Sequence, residues 1–513
     1  MNRYSNDSNF QIKMGALISY ASIFINIIVG ILYTPWMIKQ IGQSNYGLYT
    51  LAITVISFFT FDFGLGEAVS KFISKYRFEN QYNKVDDFLG ITFKLYFGID
   101  IVIFIILFTA YCFLGKIYAE LSLEEIEKFK FVFIIAAIYA TTIFPFQPLN
   151  GILIAFEKFV FIKTLDIISR VLIVISMVFA LLLGYKLNAL IIVNAVSGIL
   201  ITTIKVLYIY KNKLIRINFR SNERKLLKEI IVFSGWAALA AFSQRLIFNI
   251  TPTLLAALSG SEHVAKFAVA STIEGFVWTF TAALNGLFLP KVTRMLFENN
   301  PNIKIERLMT KVGRIQLFIL GLIFSGFILV GKEFIGLWLN NDYLDVYNIV
   351  IFLIIPSLIN LTQQIAVTSL TAAGKNKFIA YGYLISGITS ITLSIVLSKS
   401  LGAIGAGIAI CIGYSIGTVF YMNFVFMKQI QLNIVRFFNN CHVKVMWPII
   451  ITIIFGQVLK FIISSGSWIL LIIKIIILSI FYFALLWRFV FNNFEKELVF
   501  QIIDKVRKCK LIF

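Results

Sequence analysis

The chain alternates between long apolar runs and short polar segments. Fourteen of the runs approach the length of about 20 residues that a helix needs to cross the hydrocarbon core of a bilayer. The pattern therefore predicts an all-α, polytopic integral membrane protein with about 14 transmembrane helices. The predicted segments are 14–38, 46–66, 89–113, 131–154, 164–184, 187–210, 230–258, 264–289, 312–331, 346–370, 378–398, 402–427, 445–464 and 468–490.

The composition agrees with a chain whose main solvent is lipid. Hydrophobic residues make up 59% of the 513 residues, and charged residues make up 14%. A soluble domain is usually about one quarter charged, and a disordered chain needs low hydrophobicity. The four cysteines and two histidines show no paired spacing. The sequence therefore predicts no disulfide scaffold, no metal site and no other cofactor.

The positions of the basic residues explain the net charge of +21. With the N-terminus placed inside, 32 Lys and Arg residues fall on one side of the membrane and nine on the other. Basic residues concentrate in cytoplasmic loops. The asymmetry predicts that both termini are cytoplasmic, and it favours membrane topology over nucleic-acid binding. The basic amphipathic stretches 214–232 and 494–513 are expected to lie on the inner leaflet.

A weak internal repeat relates the first and seventh segments. Small or polar residues recur in both at spacings of 4, 3, 4, 4 and 3, at a constant offset of 219 residues, which places them on one helix face. At an offset of 218, Gly42 matches Gly260 and Gly184 matches Gly402. The two stripes are Gly15, Ser19, Ser22, Asn26, Gly30 and Tyr33, and Ser234, Ala238, Ala241, Arg245, Asn249 and Pro252.

The repeat predicts how the chain divides into lobes. Its copies start six segments apart, an even number, so both have the same orientation across the membrane. Transporters that bind a substrate between two lobes commonly contain such parallel repeats. We expect an N-terminal lobe at 1–212, a C-terminal lobe at 213–430 that begins with a basic linker, and two extra helices with a basic amphipathic tail at 431–513.

Several ordered motifs resemble one family of membrane proteins, the bacterial polysaccharide and O-antigen flippases. These form the polysaccharide transporter family of the multidrug/oligosaccharidyl-lipid/polysaccharide (MOP) superfamily. The resemblance covers most of the chain from residue 10 to about 430. The motifs are Pro35–Gly42 with Tyr46 and Gly47, Pro290 with Arg294, Phe334–Leu339 with Asp342 and Tyr343, and Ala373–Lys377.

The resemblance implies a function and a location. It implies a flippase, not an enzyme, that moves undecaprenyl-pyrophosphate-linked oligosaccharide repeat units across the bacterial cytoplasmic membrane by alternating access, for O-antigen, capsule or exopolysaccharide synthesis. The implied partners are the polyprenyl-pyrophosphate-linked glycan, membrane lipid, a polysaccharide polymerase and glycosyltransferases. Two alternatives remain open, a drug or cation antiporter of the same superfamily and a glycan polymerase or ligase. No predicted outer loop exceeds about fifteen residues, which argues against the second alternative.

An arginine is the main candidate for binding the cargo. Arg245 lies near the middle of the seventh segment, where an ionisable residue is usually functional. Because pyrophosphate is anionic, the arginine favours this cargo over a cationic drug. An ion pair between Arg245 and Glu274 of the eighth segment is the alternative interpretation. The predicted lining of the substrate cavity is Ser22, Asn26, Tyr33, Gln244, Arg245 and Asn249.

Carboxylates within the segments are candidates for a coupling-ion or proton site. Glu274 and Asp100 are the two predicted residues, and a balancing charge or a helix-contact hydrogen bond is the alternative for each. We expect Arg170 to pair locally with Asp166, four residues earlier. Lys474 is expected to extend outward to the headgroups. No catalytic residue is predicted.

Overall fold

The structure is a computed structural model that describes residues 2–62, 65–221, 223–282, 288–463 and 466–510. The regular secondary structure within these ranges is helical, which confirms the predicted all-α class. The helices are α1 (Asn2–Ile41), α2 (Gln43–Phe59), α3 (Leu65–Phe78), α4 (Tyr82–Cys112), α5 (Leu114–Ile117), α6 (Leu123–Ile143), α7 (Pro148–Ala155), α8 (Phe159–Leu182), α9 (Leu187–Lys211), α10 (Arg224–Phe248), α11 (Ile250–Leu258), α12 (Ser261–Ala282), α13 (Leu289–Leu296), α14 (Pro301–Trp338), α15 (Val346–Asn360), α16 (Gln364–Ala372), α17 (Asn376–Tyr414), α18 (Met422–Ile430), α19 (Ile434–Phe438), α20 (Lys444–Ile462), α21 (Trp468–Leu485) and α22 (Asn493–Lys510).

The predicted membrane segments correspond to helices in the structure. Ten stretches of the described chain are long and apolar enough to cross a membrane. The stretch Asn376–Ile430 has 55 residues, or about 80 Å of helix, and it bends at Gly402, where φ is 54°. It therefore contains two of the predicted crossings. The predicted segments 46–66, 230–258 and 264–289 correspond to α2, to α10 with α11, and to α12, although 283–287 lie outside the described residues.

The backbone carries a trace of the predicted repeat. Gly42 and Gly260 have φ values of 83° and 88°, and their counterparts in the second matched pair, Gly184 and Gly402, have 85° and 54°. All four adopt the left-handed conformation that glycine reaches without a steric penalty. Sequence positions matched at one offset therefore share a special backbone geometry.

Contacts divide the chain into two compact units. The first contains Met1–Thr272 and Asn376–Thr418, and the second contains Ile273–Lys375 and Val419–Phe513. These units follow spatial contacts, whereas the predicted lobes at 1–212, 213–430 and 431–513 follow the repeat along the sequence. The lobes therefore stay a prediction.

The first unit is held partly by small residues on α17. Buried serines recur every four residues along this helix, at Ser386, Ser390, Ser394 and Ser398. A Cβ atom added to Gly413 would lie only 2.2 Å from Ser390 Oγ, so the two halves of the bent helical stretch approach closely. Small residues allow such close packing where lipid supplies no hydrophobic driving force.

The second unit contains a buried ion pair that corrects one expectation. Lys474 of α21 is 1% exposed, and its Nζ lies 2.8 Å from Glu333 Oε2 on α14. It therefore does not extend to the headgroups as predicted. A lysine reaches outward only when no anion is available inside, and Glu333 supplies one.

Candidate functional site

The candidate site begins with Arg245, which α10 holds against α2. Its Nη1 donates hydrogen bonds to Ser57 Oγ at 2.5 Å and to Ser57 O at 3.2 Å. The guanidinium carbon lies 4.9 Å from the centre of the Phe61 ring. Asn249, one turn later, donates from Nδ2 to the same Ser57 Oγ at 3.0 Å. Arg245 and Asn249 are therefore joined through one hydroxyl, as their spacing on a single helix face predicts.

The guanidinium keeps unused hydrogen-bonding capacity. Arginine has five N–H donors, and within the described ranges the hydrogen bonds of Arg245 use Nη1 alone. Its side chain is half-buried, as is that of the neighbouring Gln244. Nε and Nη2 can therefore donate to a further acceptor while Ser57 fixes the position of the group.

The predicted α1 residues lie on one face and are half-buried. Asn26 Nδ2 donates to Ser22 Oγ at 3.5 Å, a long contact. The hydroxyl of Tyr33 is buried and has no hydrogen-bond partner among the described residues. Its ring centre lies 6.0 Å from that of Trp36. A buried, unsatisfied hydroxyl is costly, so Tyr33 is suited to meet a polar group that enters from outside the protein.

A second arginine, Arg170 of α8, corrects another sequence expectation. In the described part of the chain, the ion pair of Asp166 is with Lys163, at 3.4 Å, and not with Arg170. Arg170 is exposed and is an electrostatic neighbour of Tyr33 and Tyr49. The i,i+4 spacing favoured a local pair, but lysine at i,i+3 competes equally well for the carboxylate.

Helix α2 has one polar residue beside each of the two arginines. Tyr49 accepts a hydrogen bond from Asn194 Nδ2 at 3.2 Å and lies near Arg170. Ser57 binds Arg245. The two α2 residues are eight positions apart, which is about 12 Å along a helix axis. We call this group the α2 polar surface: Tyr33, Tyr49, Ser57, Arg170, Asn194, Arg245 and Asn249, all in the first unit.

The two carboxylate candidates occupy different surroundings. Asp100 on α4 is half-buried, and its Oδ1 is enclosed without a hydrogen-bond partner in the ranges that the structure describes. Glu274 on α12 belongs to the second unit and is 6% exposed. It accepts a long hydrogen bond of 3.5 Å from Ser357 Oγ. Ser357 also accepts one from Trp278 Nε1 at 3.2 Å. The predicted ion pair between Arg245 and Glu274 stays a prediction.

The comparison with known families decides the class of protein. Residues 12–295, more than half of the chain, match the family described as polysaccharide biosynthesis proteins. The chain belongs to this family. A relative from Shigella flexneri, assigned as an O-antigen transporter, is 22% identical over 383 residues, which cover 73% of this chain and 88% of the relative.

Solved structures show the fold of this polysaccharide biosynthesis family member. The lipid II flippase MurJ in an inward closed conformation matches with a TM-score of 0.73 at 17% identity, covering 92% of this chain and 98% of MurJ. An inward-facing multidrug resistance MATE transporter of the MOP superfamily matches with a TM-score of 0.65 at 15% identity, covering 79% and 98% of the respective chains. The chain therefore has the multi-helix fold of these membrane transporters. Together with the family match and the Shigella flexneri relative, this indicates a multi-pass, flippase-like membrane transporter and not an enzyme.

The sequence reasoning missed one cluster of hydrogen-bonded side chains in this family member. Glu125, in the first turn of α6, accepts hydrogen bonds from Ser44 Oγ of α2, at 2.5 Å, and from Ser261 Oγ of α12. The two serine hydroxyl oxygens lie 3.1 Å apart. Ser44 lies two residues after Gly42, and Ser261 directly follows Gly260, the matched glycine. We call Ser44, Glu125 and Ser261 the serine–glutamate latch.

Local backbone hydrogen bonds position the glutamate of the latch. Ser122 and Glu125 form a capping box: Ser122 N donates to Glu125 Oε2 at 2.9 Å, and Glu125 N donates to Ser122 Oγ at 3.2 Å. This leaves Oε1 for the two latch serines. The capping pattern Ser-x-x-Glu was visible in the sequence, but it predicts only the start of a helix. Contact with two distant helices requires the tertiary structure.

Proposed function

We propose that the chain translocates undecaprenyl-pyrophosphate-linked oligosaccharide repeat units across the bacterial cytoplasmic membrane. The family match and the relative named as an O-antigen transporter support a glycolipid cargo. The observation that carries the proposal is Arg245, anchored through Nη1 and left, among the described residues, with unused donors on the α2 polar surface. The proposed pathway partners are a polysaccharide polymerase and glycosyltransferases.

The chemistry of the cargo explains why arginines are needed. Its lipid tail can remain in the bilayer, but its pyrophosphate and sugars cannot cross hydrocarbon without polar partners, because each unsatisfied group costs several kcal/mol. Arginine presents a planar fork of donors that fits phosphate oxygens. In the proposed mechanism Arg245 binds the pyrophosphate, while Arg170 and Tyr33 meet the sugars or the second phosphate.

Alternating access requires contacts that close one side of the transporter and that can be released. The serine–glutamate latch joins α2 and α6 to α12, so it connects the two copies of the predicted repeat. The charge pattern predicts that the start of α2 and the start of α6 lie on the outer side of the membrane, with both termini in the cytoplasm. The latch is therefore the proposed outer closure, and its release would expose the α2 polar surface to the outside.

The carboxylates have a proposed role in coupling. Glu274 is buried, and one carboxylate oxygen of Asp100 is enclosed without a hydrogen-bond partner in the described part of the chain. Acidic residues in membrane segments frequently carry protons or ions in transporters. We place the coupling-ion site at one of them, with Glu274 as the first choice because it is the more deeply buried.

The test uses a strain that lacks this gene and any second flippase gene. Loss of surface polysaccharide, with accumulation of lipid-linked repeat units on the inner leaflet, is the expected result. Normal surface polymer in this strain would overturn the assignment. Export of a cationic drug, without any effect on polymer, would instead favour an antiporter of the same superfamily.

Variants of Arg245 then test the site. Arg245→Ala should reduce surface polymer about 10- to 150-fold, the loss of roughly 1.5–3 kcal/mol expected for hydrogen bonds to a charged group, at unchanged protein abundance. Arg245→Lys should recover part of the activity, because the charge survives without the fork geometry. Arg220→Ala, in an exposed loop of the same unit, is the matched control and should have no effect.

The ion-pair alternative makes a different prediction for the same assay. Under it, Arg245→Ala leaves Glu274 unpaired and lowers the amount of protein in the membrane. The double variant Arg245→Ala with Glu274→Gln would then restore both abundance and transport. Full transport by this double variant would rule out direct cargo binding by Arg245.

A further inference from the structure

A basic cavity of about 450 Å³ lies within the second unit. Its lining contains four cationic side chains and two carboxylates. Three of the cations, Arg307, Lys311 and Arg314, come from one face of α14, where they are four and three residues apart. Arg436 of α19 supplies the fourth. We call this the α14 basic pocket.

A buried ion pair forms the floor of the pocket. Arg314 donates from Nε to Glu495 Oε1 at 2.6 Å and from Nη2 to Glu495 Oε2 at 2.9 Å. The same guanidinium donates to the backbone oxygens of Asn440 and Val490. This arrangement uses the charges of Arg314 and Glu495 on each other and fixes the start of α22 against α14. The remaining charges of the pocket are therefore not needed to hold its walls.

Of the other three cations, two lack an ion-pair partner among the described residues and the third has a distant one. Arg307 and Lys311 are exposed and form no ion pair within the described ranges. Arg436 lies 3.8 Å from Glu306, a long separation for an ion pair. Like charges four residues apart on a helix repel each other by a few tenths of a kcal/mol. A cluster of this kind is stabilised when an anion binds between its members.

Apolar side chains beside the charges indicate what kind of anion fits. Lys311 Nζ lies 3.2 Å from the centre of the Phe494 ring, which itself is 38% exposed. Ile303, which also lines the pocket, is 44% exposed. A soluble anion gains nothing from such neighbours, whereas a lipid buries acyl chains beside its headgroup. The charge pattern also predicts that 290–314 and α22 lie at the cytoplasmic surface, where anionic lipids attract basic groups.

We propose that the α14 basic pocket binds the phosphate headgroup of an anionic phospholipid of the inner leaflet. Arg307 donates its planar fork to the phosphate oxygens, and Lys311 and Arg436 add charge from the sides. The acyl chains lie along Ile303 and Phe494. The bound lipid would brace α22 against α14. This site does not depend on the proposed cargo, and its test measures binding instead of transport.

The test compares phosphatidylglycerol with phosphatidylcholine on the full-length protein. The purified protein in non-ionic detergent is titrated with each lipid, and bound lipid is counted by native mass spectrometry. We expect retention of phosphatidylglycerol by the unchanged protein. Arg307→Ala with Lys311→Ala should weaken this binding on the order of 30-fold, the factor for two basic residues at about 1 kcal/mol each. These exposed positions leave the pair of Arg314 and Glu495 intact.

Two further arms make the result decisive. Lys377→Ala with Lys428→Ala removes two exposed lysines outside the pocket and should leave lipid binding unchanged. The charge-preserving change Arg307→Lys should retain most of the binding. Equal retention of phosphatidylcholine, or equal loss in the control variant, would overturn the proposal. The proposal would also be overturned if inorganic phosphate or glycerol 3-phosphate raised the melting temperature of the protein as much as phosphatidylglycerol does. The pocket would then be a site for soluble anions.

Discussion

Replacing Gly47 by alanine should open the serine–glutamate latch. Gly47 lies on α2 one turn after Ser44, where the backbone of α12 approaches it. A Cβ atom at this position would lie 2.0 Å from the carbonyl oxygen of Ser261 and 2.8 Å from its carbonyl carbon. Both neighbours are backbone atoms, so no side chain can rotate away. The two helices must instead move apart.

The size of the effect follows from these distances. An ordinary van der Waals contact begins at 3.4 Å, so α2 and the start of α12 must separate by about 1.4 Å. Inserting a methyl group into a packed contact costs about 1–3 kcal/mol. The same change favours the helix by about 1 kcal/mol, but it does so in the open and closed states alike. The equilibrium should therefore shift toward the open state by roughly 5- to 150-fold.

The assay is a distance measurement between two spin labels at the latch end of the first unit. Lys116 on α5 and Glu262 on α12 are exposed and can be replaced by labelled cysteines in a cysteine-free background. The unchanged protein should give mainly one distance. Gly47→Ala should add or enlarge a population at longer distance.

A matched variant separates the steric effect from helix propensity. A Cβ atom at Gly98, on α4, would have no neighbour within 4 Å, so Gly98→Ala should leave the distances unchanged. If the Gly47→Ala protein is folded and gives the same distance distribution as the unchanged protein, the reasoning is refuted. It would mean that the approach of α2 to Ser261 does not hold this end closed.

Three further changes test other parts of the structure. Glu125→Ala removes the shared acceptor of the latch and should enlarge the same long-distance population; an unchanged distribution would show that the glutamate does not hold the latch. Lys474→Leu should lower the melting temperature and abundance, because it leaves Glu333 buried without its cation at a cost of about 3–5 kcal/mol. The control Lys460→Leu, at an exposed position, should change neither the melting temperature nor the abundance. If the double variant Lys474→Leu with Glu333→Leu is as unstable as Lys474→Leu alone, the explanation is contradicted. Reporters fused after positions 220, 300 and 435 should report the cytoplasm and those at 122 and 340 the outside; two or more reversed fusions would contradict the topology.

The sequence alone predicted the class of fold because a bilayer imposes a simple rule. Every crossing segment must be apolar and long, so hydropathy locates the helices without knowledge of their packing. The predicted segments therefore found helices even where the structure breaks them, as at Asn249 between α10 and α11. The family resemblance was also confirmed, since its motifs are local strings of residues that need no tertiary contact to be read.

The partners of charged residues were decided only by the tertiary structure. Asp166 forms an ion pair with Lys163 instead of Arg170, and Lys474 forms one with Glu333, which is 141 residues away. Helical spacing names the neighbours within one helix, but it contains no information about which side chains another helix brings alongside. Because a charge in a membrane needs a partner wherever it can find one, long-range packing determines the outcome.

The same limit explains what was found and missed at the candidate site. The stripe spacing placed Arg245 and Asn249 on one face, since a helical period fixes that relation. That Ser57 binds both, that Tyr49 lies near Arg170, and that Glu125 joins Ser44 to Ser261 depend on helices far apart in the chain. The sequence determined which polar residues enter the membrane and on which helix faces. The tertiary structure alone decided which of them meet, because hydrogen bonds form between atoms a few ångströms apart and no local pattern encodes that proximity.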